Sequence, residues 1–330
     1  MNPKQISVLI AAAISAKQPV LITGAPGIGK TDVVKQAAKQ ANADLIIMHP
    51  CVSDPTDFKG LPALVGTQAE FLPFGDLLKL INATALTVCF LDDIGQAPPA
   101  VQAALMQLLL AREINGKKIS EHVVFIAATN RKQDKAGVSG MLEPVKSRFA
   151  SIVNMDVDHK SWIEWAIQAN LPLEIISFIQ FRPHLLHDFK ASSDLVNSPC
   201  PRTVANLARL YNMNLPKEMH LEAFSGAVGQ GFATEFLAFL PIMKRLPNID
   251  NILMGNDLNP PKEIDVLFAV AVALSRKVTG QNITNAFNYV EKMQKEFQVL
   301  FVKAATKRDS ELCNTREYIK WTTTNSDYLA

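Results

Sequence analysis

The chain has 330 residues, enough for two or three domains and for a hydrophobic core that needs no disulfide or metal to hold it. Apolar residues make up 48% and charged residues 19%, which is typical of a soluble globular protein. A formal net charge of +2 is too small to imply a nucleic-acid-binding surface, and the sequence lacks the run of about twenty apolar residues that a membrane span requires.

The cysteines and the first residues indicate the compartment. Four cysteines are scattered along the chain without a Cys-x-x-Cys pair, which favours a reducing environment. The N-terminal segment lacks the basic start and apolar stretch of a secretory signal. We therefore expect a cytoplasmic protein.

The strongest motif follows a predicted amphipathic helix at residues 4–17 and a short strand around Leu21 and Ile22. Residues 24–31 match the pattern G-x-x-x-x-G-K-T, and a helix is predicted directly after them. Such a loop surrounds one anion with backbone N–H groups, while its lysine supplies positive charge to the β- and γ-phosphates and its threonine ligates Mg²⁺. The order of strand, loop and helix disfavours a plain glycine-rich turn and predicts binding of a nucleoside triphosphate. The expected binding residues are Gly24, Ala25, Pro26, Gly27, Ile28, Gly29, Lys30 and Thr31.

Strands and helices alternate through the first half of the chain. Further strands are predicted at residues 43–48, 86–91, 123–128 and 152–157, and helices at 74–82, 101–110 and 141–147. Two hairpins are predicted, one turning at Gly66-Thr67 and one at Asn115-Gly116. This alternation predicts a parallel sheet with helices on both faces.

After residue 158 the pattern becomes helical. Helices are predicted at residues 162–170, 173–182, 203–211, 265–275 and 283–301, with closely packed helices in the small-residue-rich stretch 221–240. No strong strand signal appears in this half.

Two carboxylates follow the strand at residues 86–91. Asp92 is positioned to hold Mg²⁺, directly or through water, and Asp93 to polarise the water that attacks the γ-phosphate. The alternative is an acidic surface edge, but the glycine-rich loop upstream favours the functional interpretation.

Asn130 follows another predicted strand, at residues 123–128. The carboxyl ends of parallel strands line the ligand crevice, so its amide can reach the γ-phosphate or the water. The alternative for Asn130 is that it caps a turn.

Together these residues resemble the AAA+ ATPases, most closely the MoxR-like group with its nitric-oxide-reductase-activating, rubisco-activating and dynein-related relatives. The matching pieces, in chain order, are the Walker A loop Gly24–Thr31, the Walker B strand ending in Asp92-Asp93, the sensor-1 residue Asn130, the segment Ser147-Arg148-Phe149 and the segment 198–203. Residues 93–102 also look like that group's Asp-Glu-hydrophobic-Asn-Arg-Ala-Pro-Pro stretch, and the hairpin at Arg112–Ser120 falls where the family carries its helix-2 insert.

The resemblance covers about residues 1–240 and implies an architecture. It implies a P-loop NTPase of the α/β class with a three-layer αβα core and a five-stranded parallel sheet at residues 1–157. An all-helical lid domain would follow at residues 158–245, and a helical C-terminal extension of unknown role at 246–330.

The same resemblance implies cofactors, assembly and two further site residues. ATP and Mg²⁺ would bind, and the subunits would form a ring, expected to be a hexamer. Arg148 would be an arginine finger that acts on the ATP of a neighbouring subunit, and Arg202 the sensor-2 residue at the start of a lid helix. Without the resemblance, either arginine could be a surface or salt-bridge residue.

The chain departs from the family pattern at residues 93, 95 and 96. Position 93 is Asp where the family has its catalytic Glu, and a displacement of about 1 Å can lower a rate ~10²-fold. The sequence therefore predicts detectable but slow hydrolysis. Gly95-Gln96 replace the family's Asn-Arg, so the role of that arginine has no counterpart here.

Three functions are compatible with these residues. The first, which we expect, is a ring-shaped ATPase that remodels or activates a protein client, together with a partner bearing a von Willebrand factor A domain. The second is a nucleotide-dependent switch or adaptor with weak hydrolysis, which Asp93 favours. The third is a nucleic-acid motor, which the near-neutral charge and the lack of a helix-turn-helix, zinc or OB signature disfavour.

Overall fold

A computed structural model of the chain describes residues 1–134, 140–189, 195–243, 245–256 and 259–328. The chain divides into two compact units, Met1–Asp158 and His159–Ala330. Within the described ranges, no helix combines the length and the apolar character that crossing a bilayer requires.

The first unit is built on a parallel sheet. The strands in its described part are β1 (Val20–Gly24), β2 (Asp44–Met48), β3 (Leu61–Val65), β4 (Gln68–Leu72), β5 (Thr87–Leu91), β6 (Glu113–Ile114), β7 (Lys117–Lys118), β8 (Val123–Asn130) and β9 (Ser151–Asn154). Five of them pair in parallel in the order β2-β5-β8-β1-β9, and the other four form two antiparallel hairpins. The predicted five-stranded parallel sheet is confirmed.

Helices cover both faces of this sheet. They are α1 (Pro3–Ser15), α2 (Lys30–Gln40), α3 (Thr56–Lys59), α4 (Gly75–Ile81), α5 (Pro99–Ala111) and α6 (Glu143–Lys146). Successive strand residues point to opposite faces, so Ile22 packs with α1 and α2 while its neighbour Leu21 packs with α4 and α5. Both faces are apolar because both are covered, as in other parallel sheets. The predicted three-layer αβα arrangement is confirmed.

Two strands end at different residues from those predicted. β8 continues past residue 128 because it pairs with β1 as far as Gly24↔Asn130. β9 ends at Asn154 rather than at residue 157, because its pairing with β1 stops at Thr23↔Asn154 and β1 then turns into the glycine-rich loop. Asn130 is therefore a paired strand residue next to that loop.

Both predicted hairpins are present, but one was assigned to the wrong place in the family pattern. Counted from the glycine-rich loop, α2 is the first helix, α3 and α4 together are the second, and α5 is the third. The β3–β4 hairpin interrupts the second helix, since Gly60 ends α3 at a φ of 91° and leads the chain into β3. The β6–β7 hairpin follows the third helix. The assignment of residues 112–120 to a helix-2 insert is therefore wrong, and residues 61–72 occupy that place.

All the regular secondary structure described in the second unit is helical. Its helices are α7 (His159–Gln168), α8 (Leu173–Phe181), α9 (Pro201–Tyr211), α10 (His220–Val228), α11 (Gln230–Met243), α12 (Ile249–Leu253), α13 (Ile264–Lys277), α14 (Ile283–Val290), α15 (Lys295–Arg308) and α16 (Arg316–Thr324). α13, from the predicted C-terminal extension, packs against α8 of the predicted lid as well as against α15. The division between lid and extension at residue 245 stays a prediction.

The single helix predicted at residues 283–301 is wrong. α14 ends at Val290 and α15 begins at Lys295, with a turn between them. The side-chain amide of Gln298 donates to the carbonyl oxygens of Glu291 and Met293, at 3.2 and 2.8 Å. In a continuous helix, backbone N–H groups would donate to these carbonyl oxygens. Here the side chain of Gln298 donates to them instead.

Candidate functional site

The sheet order brings three strand ends together at one edge of the first unit. β8 lies between β1 and β5, and all three run parallel. Their carboxyl ends lead to the glycine-rich loop after β1, to Asn130 on β8, and to Asp92-Asp93 after β5. Polar groups far apart in sequence therefore meet at the edge where open α/β sheets bind ligands.

The glycine-rich loop depends on its glycines for two different reasons. Gly29 precedes α2 with a φ of 95°, a conformation that residues with a side chain rarely adopt, and nothing lies within 4 Å of the position a Cβ would take. At Gly24 the reason is space, because a Cβ there would lie 2.7 Å from the carbonyl oxygen of Met155. The loop thus leads the chain tightly from β1 into the N-terminus of α2, whose first N–H groups are available to an anion.

Lys30 is the first residue of α2 and is only 6% exposed. Its Nζ donates to the carbonyl oxygens of Gly24 and Ala25, at 3.1 and 2.9 Å, and to Oδ1 of Asn130 at 2.7 Å. A buried ammonium is tolerated only where oxygen atoms surround it in this way. The positive charge is therefore held at the mouth of the loop, as phosphate binding requires.

Thr31 and Asp92 form the second contact of the site. The Thr31 hydroxyl donates to Oδ2 of Asp92 at 2.7 Å, and the backbone N–H of Asp92 donates to the carbonyl oxygen of Met48 at 2.9 Å. A hydroxyl and a carboxylate side by side are hard oxygen ligands of the kind that Mg²⁺ prefers. Among the described residues, no cluster of three or more His, Cys, Asp and Glu side chains could hold a metal ion. A Mg²⁺ ion at Thr31 and Asp92 would therefore need further oxygens from phosphate or water.

Asn130 connects the loop to the acidic turn, which is formed by residues 92–97 after β5. Its Oδ1 accepts from Lys30, and its Nδ2 donates to Oδ1 of Asp93 at 3.1 Å. An amide suits this place because one end accepts from a cation while the other donates to an anion. A carboxylate here would repel Asp93, and a second cation would repel Lys30.

Asp93 adopts a left-handed backbone conformation with a φ of 55°. Asp and Asn tolerate this region better than other residues with side chains, although it still costs about 1–2 kcal/mol. The turn that follows packs tightly on β8, since a Cβ at Gly95 would overlap Oγ1 of Thr129. The shape of the acidic turn is therefore set by its contacts with the neighbouring strand.

Sequence reasoning missed Cys51, which follows β2 near the acidic turn. Partial burial, and then the negative charges of Asp93 and Asp92, raise the pKa of its thiol above the usual value. Its thiol therefore stays neutral at physiological pH. The available signal was its position three residues after β2, since the neighbouring strand ends carry the candidate site residues.

The structure brings together five of the predicted site residues, Lys30, Thr31, Asp92, Asp93 and Asn130. Arg148 lies between α6 and β9, and its Nε is buried without a hydrogen-bond partner among the described residues. Arg202 lies in the second unit, exposed in the first turn of α9. The roles of both arginines stay predictions.

A parallel sheet in the order β2-β5-β8-β1-β9, with a glycine-rich loop between β1 and α2, defines the first unit as an α/β P-loop NTPase fold. Residues 20–157 match the family described as "ATPase family associated with various cellular activities (AAA)". The chain therefore carries an AAA ATPase domain.

Two curated relatives match part of the chain. One is the mitochondrial inner membrane i-AAA protease supercomplex subunit YME1 of Saccharomyces cerevisiae, 30% identical over 146 residues, which are 42% of this chain and 18% of the yeast protein. The other is the Holliday junction branch migration complex subunit RuvB of Mycoplasma pneumoniae, 26% identical over 157 residues, which are 44% of this chain and 43% of that protein. The chain thus spans less than half the length of either relative.

Among solved structures, the Thermotoga maritima RuvB Holliday junction branch migration motor aligns with a TM-score of 0.40 at 17% identity. The alignment covers 86% of each chain.

Proposed function

We propose that the first unit binds ATP with Mg²⁺ and hydrolyses it at the edge of the sheet where β1, β8 and β5 end. The observation that carries the proposal is the chain of hydrogen bonds from Lys30 through Asn130 to Asp93, beside the Thr31–Asp92 pair. These contacts support the proposal because they bring an ammonium group, a hydroxyl and a carboxylate oxygen suited to Mg²⁺, and a second carboxylate close together. These are the parts that phosphoryl transfer to water requires.

Each residue has a distinct task in this proposal. Lys30 exchanges the carbonyl oxygens of Gly24 and Ala25 for oxygens of the β- and γ-phosphates. Thr31 and Asp92 hold Mg²⁺, which neutralises charge on the phosphates when it is bound. Asp93 orients and polarises the attacking water, and Asn130 keeps the Asp93 carboxylate at a fixed distance from Lys30.

Hydrolysis is proposed to be slow. The side chain of Asp93 is one methylene shorter than that of Glu, and the left-handed backbone conformation fixes the position of the Cβ from which the carboxylate extends. A water held about 1 Å from its best position lowers the rate ~10²-fold.

We further propose that the protein works as a ring, expected to have six subunits, in which Arg148 reaches the nucleotide of the neighbouring subunit. The buried Nε of Arg148, which lacks a partner among the described residues, supports a role for this side chain beyond a salt bridge in its own subunit. Arg202 is proposed as the sensor-2 residue that touches the nucleotide.

Mixing two inactive variants tests the ring directly. Lys30→Ala subunits lose nucleotide binding but keep Arg148, whereas Arg148→Ala subunits bind nucleotide but depend on a neighbour that has the arginine. Phosphate release should fall at least ~10²-fold in each variant alone and return in part when the two are mixed with ATP and Mg²⁺. Arg209→Ala, on the exposed side of α9, is the control and should behave as wild type. Full-length protein that stays monomeric with ATP and Mg²⁺ would contradict the ring.

A second candidate is a nucleotide-dependent switch or adaptor, in which ATP binding rather than turnover sets the state. Asp93 in place of Glu is the observation that favours it. The turnover of the assembled ring separates the two functions, since a switch would hydrolyse very little ATP even when oligomeric.

For the client, we propose a protein substrate remodelled together with a partner that carries a von Willebrand factor A domain. The resemblance of residues 93–102 to the MoxR-type stretch supports this proposal. The test is co-purification with a protein of that kind encoded beside this gene, with ATP and with ADP. The RuvB relative acts in Holliday junction branch migration by its name, so a nucleic-acid motor is the competing outcome. ATP hydrolysis stimulated by DNA, with a steep salt dependence, would favour the motor.

A further inference from the structure

Gln102, in the first turn of α5, is a buried polar side chain to which the proposed chemistry gives no task. It is 1% exposed. Its Nε2 donates to the carbonyl oxygens of Ala97 and Gly140, at 3.0 and 2.9 Å, and its Oε1 accepts from the backbone N–H of Leu142 at 3.0 Å. Both donor hydrogens of the amide are therefore used, and the oxygen is used as well. One side chain joins two backbone segments that are about forty residues apart.

The first of these segments is the acidic turn. The carbonyl oxygen of Asp93 accepts from the N–H of Gln96, and the N–H of Ala97 donates to the carbonyl oxygen of Ile94. Ala97 thus closes the short helical turn that begins at Asp93. By holding the carbonyl oxygen of Ala97, Gln102 holds the far end of the turn that carries the proposed catalytic carboxylate.

The second segment leads to Arg148. Leu142 is the N-cap residue of α6, and Arg148 follows the end of that helix. The core that contains Val145 and Phe149 also contains residues of α5, so α6 packs on the helix that carries Gln102. Met141 also lies against the acidic turn, because its Cγ is 3.5 Å from the position that a Cβ at Gly95 would take.

We infer that Gln102 is a positioning residue that couples the Asp93 turn to the segment presenting Arg148. The inference rests on the proposed function, in which Asp93 serves the subunit's own ATP and Arg148 the ATP of its neighbour. Through Gln102, a shift of the turn around the nucleotide moves the start of α6, and with it the arginine. Nucleotide state in one subunit then controls catalysis in the next.

The chemistry at position 102 explains why a glutamine suits this place. An apolar side chain would leave the carbonyl groups of Ala97 and Gly140 and the N–H of Leu142 without these hydrogen bonds. A glutamate would keep the acceptor for Leu142 but would place a carboxylate against the carbonyl oxygens of Ala97 and Gly140. Only a neutral amide with this reach satisfies all three groups.

Subunit mixing tests whether Gln102 positions the segment that presents Arg148, without involving the altered subunit's own hydrolysis. The reference mixture contains Lys30→Ala and Arg148→Ala subunits, in which Lys30→Ala subunits only supply the arginine. In the test mixture the supplier is Lys30→Ala/Gln102→Leu. We expect the reference to gain at least ~10-fold over either variant alone, and the test mixture to lose most of that gain. A test mixture as active as the reference would overturn the role of Gln102, whereas a reference without any gain would refute the ring itself.

Gln107→Leu is the matched control, because Gln107 lies on the same helix but is exposed. A supplier carrying Lys30→Ala/Gln107→Leu should complement as well as Lys30→Ala alone. Gln102→Glu is the second variant in case Gln102→Leu does not fold, and it should lose complementation in the same way.

Hydrogen exchange gives a readout that does not depend on ATPase activity. In Gln102→Leu, the amide of Leu142 should exchange at least ~10-fold faster, while amides in the middle of α5 stay protected. In a homogeneous ring the same variant should lower kcat while KM for ATP stays within ~3-fold, since the loop and Lys30 are untouched. Unchanged exchange at Leu142, or a rise in KM with kcat preserved, would contradict the inference.

Discussion

The two halves of the candidate site are built in different ways. The glycine-rich loop after β1 acts mainly through its backbone, and Lys30 is held by carbonyl oxygens of that same loop. The acidic turn after β5 acts through side chains, and its shape depends on β8 and on Gln102. The loop half is therefore specified mainly by residues 24–31, with added contacts from Lys30 to Asn130 and from Gly24 to Met155, whereas the acidic half is specified by tertiary contacts. Substitutions in the two halves should differ accordingly.

The largest effect is expected in the loop half, from Lys30→Ala. The variant loses charge-assisted hydrogen bonds to the phosphates, worth about 1.5–3 kcal/mol each, so ATP affinity should fall by ~10² to ~10⁴-fold. Titration with a fluorescent ATP analogue measures the loss. Lys35→Ala, on the exposed side of α2, is the control and should bind like wild type. Affinity kept within threefold of wild type, about 0.6 kcal/mol, would remove Lys30 from the site.

Asn130 hydrogen-bonds to both halves of the site, so substitutions at this residue should affect ATP binding and turnover differently. Asn130→Ala removes the link to Asp93 and should lower kcat about tenfold with little change in ATP affinity. Asn130→Asp adds a carboxylate that competes for Lys30 and repels Asp93, so it should lower kcat ~10²-fold and weaken ATP binding as well. Measuring kcat and the dissociation constant for ATP in both variants distinguishes these two effects. Equal effects of the two variants on affinity would show that the charge at this position is unimportant.

Substituting one glycine in each half allows the two halves to be compared by the loss of folding stability. Gly95→Ala forces a methyl group into Thr129 and should destabilise the protein by about 2–3 kcal/mol. Gly29→Ala meets no atom but must adopt a φ of 95°, which should cost about 1–2 kcal/mol. Urea unfolding of both variants measures the difference.

A double-mutant cycle tests the cause at Gly95. Thr129→Ala removes Oγ1 and should recover part of the loss in Gly95→Ala but none in Gly29→Ala. Equal recovery in both backgrounds would mean that the Gly95 turn is not shaped by β8.

Asp93→Glu should produce the smallest effect, and in the opposite direction. The longer side chain brings the carboxylate nearer to the attacking water, so kcat should rise by about tenfold. The left-handed backbone at position 93 suits Glu less well than Asp, so a stability loss of under about 1 kcal/mol should accompany the gain. Steady-state phosphate release tests the first statement. An unchanged or lower kcat would show that the length of this side chain does not limit hydrolysis.

The local half of the site was predictable from sequence, residue by residue. A loop whose function depends on glycine conformations and one lysine carries its whole pattern in residues 24–31. Asp92, Asp93 and Asn130 were also predictable, because carboxyl ends of parallel strands meet at one edge. The strands of the sheet and the helices that cover it were also predictable from their hydrophobic patterns, because both faces of the sheet are buried.

What the sequence did not reveal depends on contacts between distant segments. Gln102 lies in an apolar helix pattern, and nothing near it in sequence indicates that it holds Gly140 and Leu142. The break between α14 and α15 similarly depends on the side chain of Gln298. Assigning the two hairpins to their places in the family pattern requires a count of the helices. Periodicity alone does not give that count, because it does not identify helices as short as α3.

Single-turnover hydrolysis by Asp93→Asn tests the central claim most directly, namely that Asp93 activates water while the glycine-rich loop and Lys30 hold the nucleotide. The substitution keeps the size of the side chain and removes its ability to take up a proton. ATP affinity should stay within about threefold of wild type, while the rate of phosphate release should fall by ~10²-fold or more. Hydrolysis at the wild-type rate, with ATP bound equally well, would contradict the assignment of Asp93 as the base.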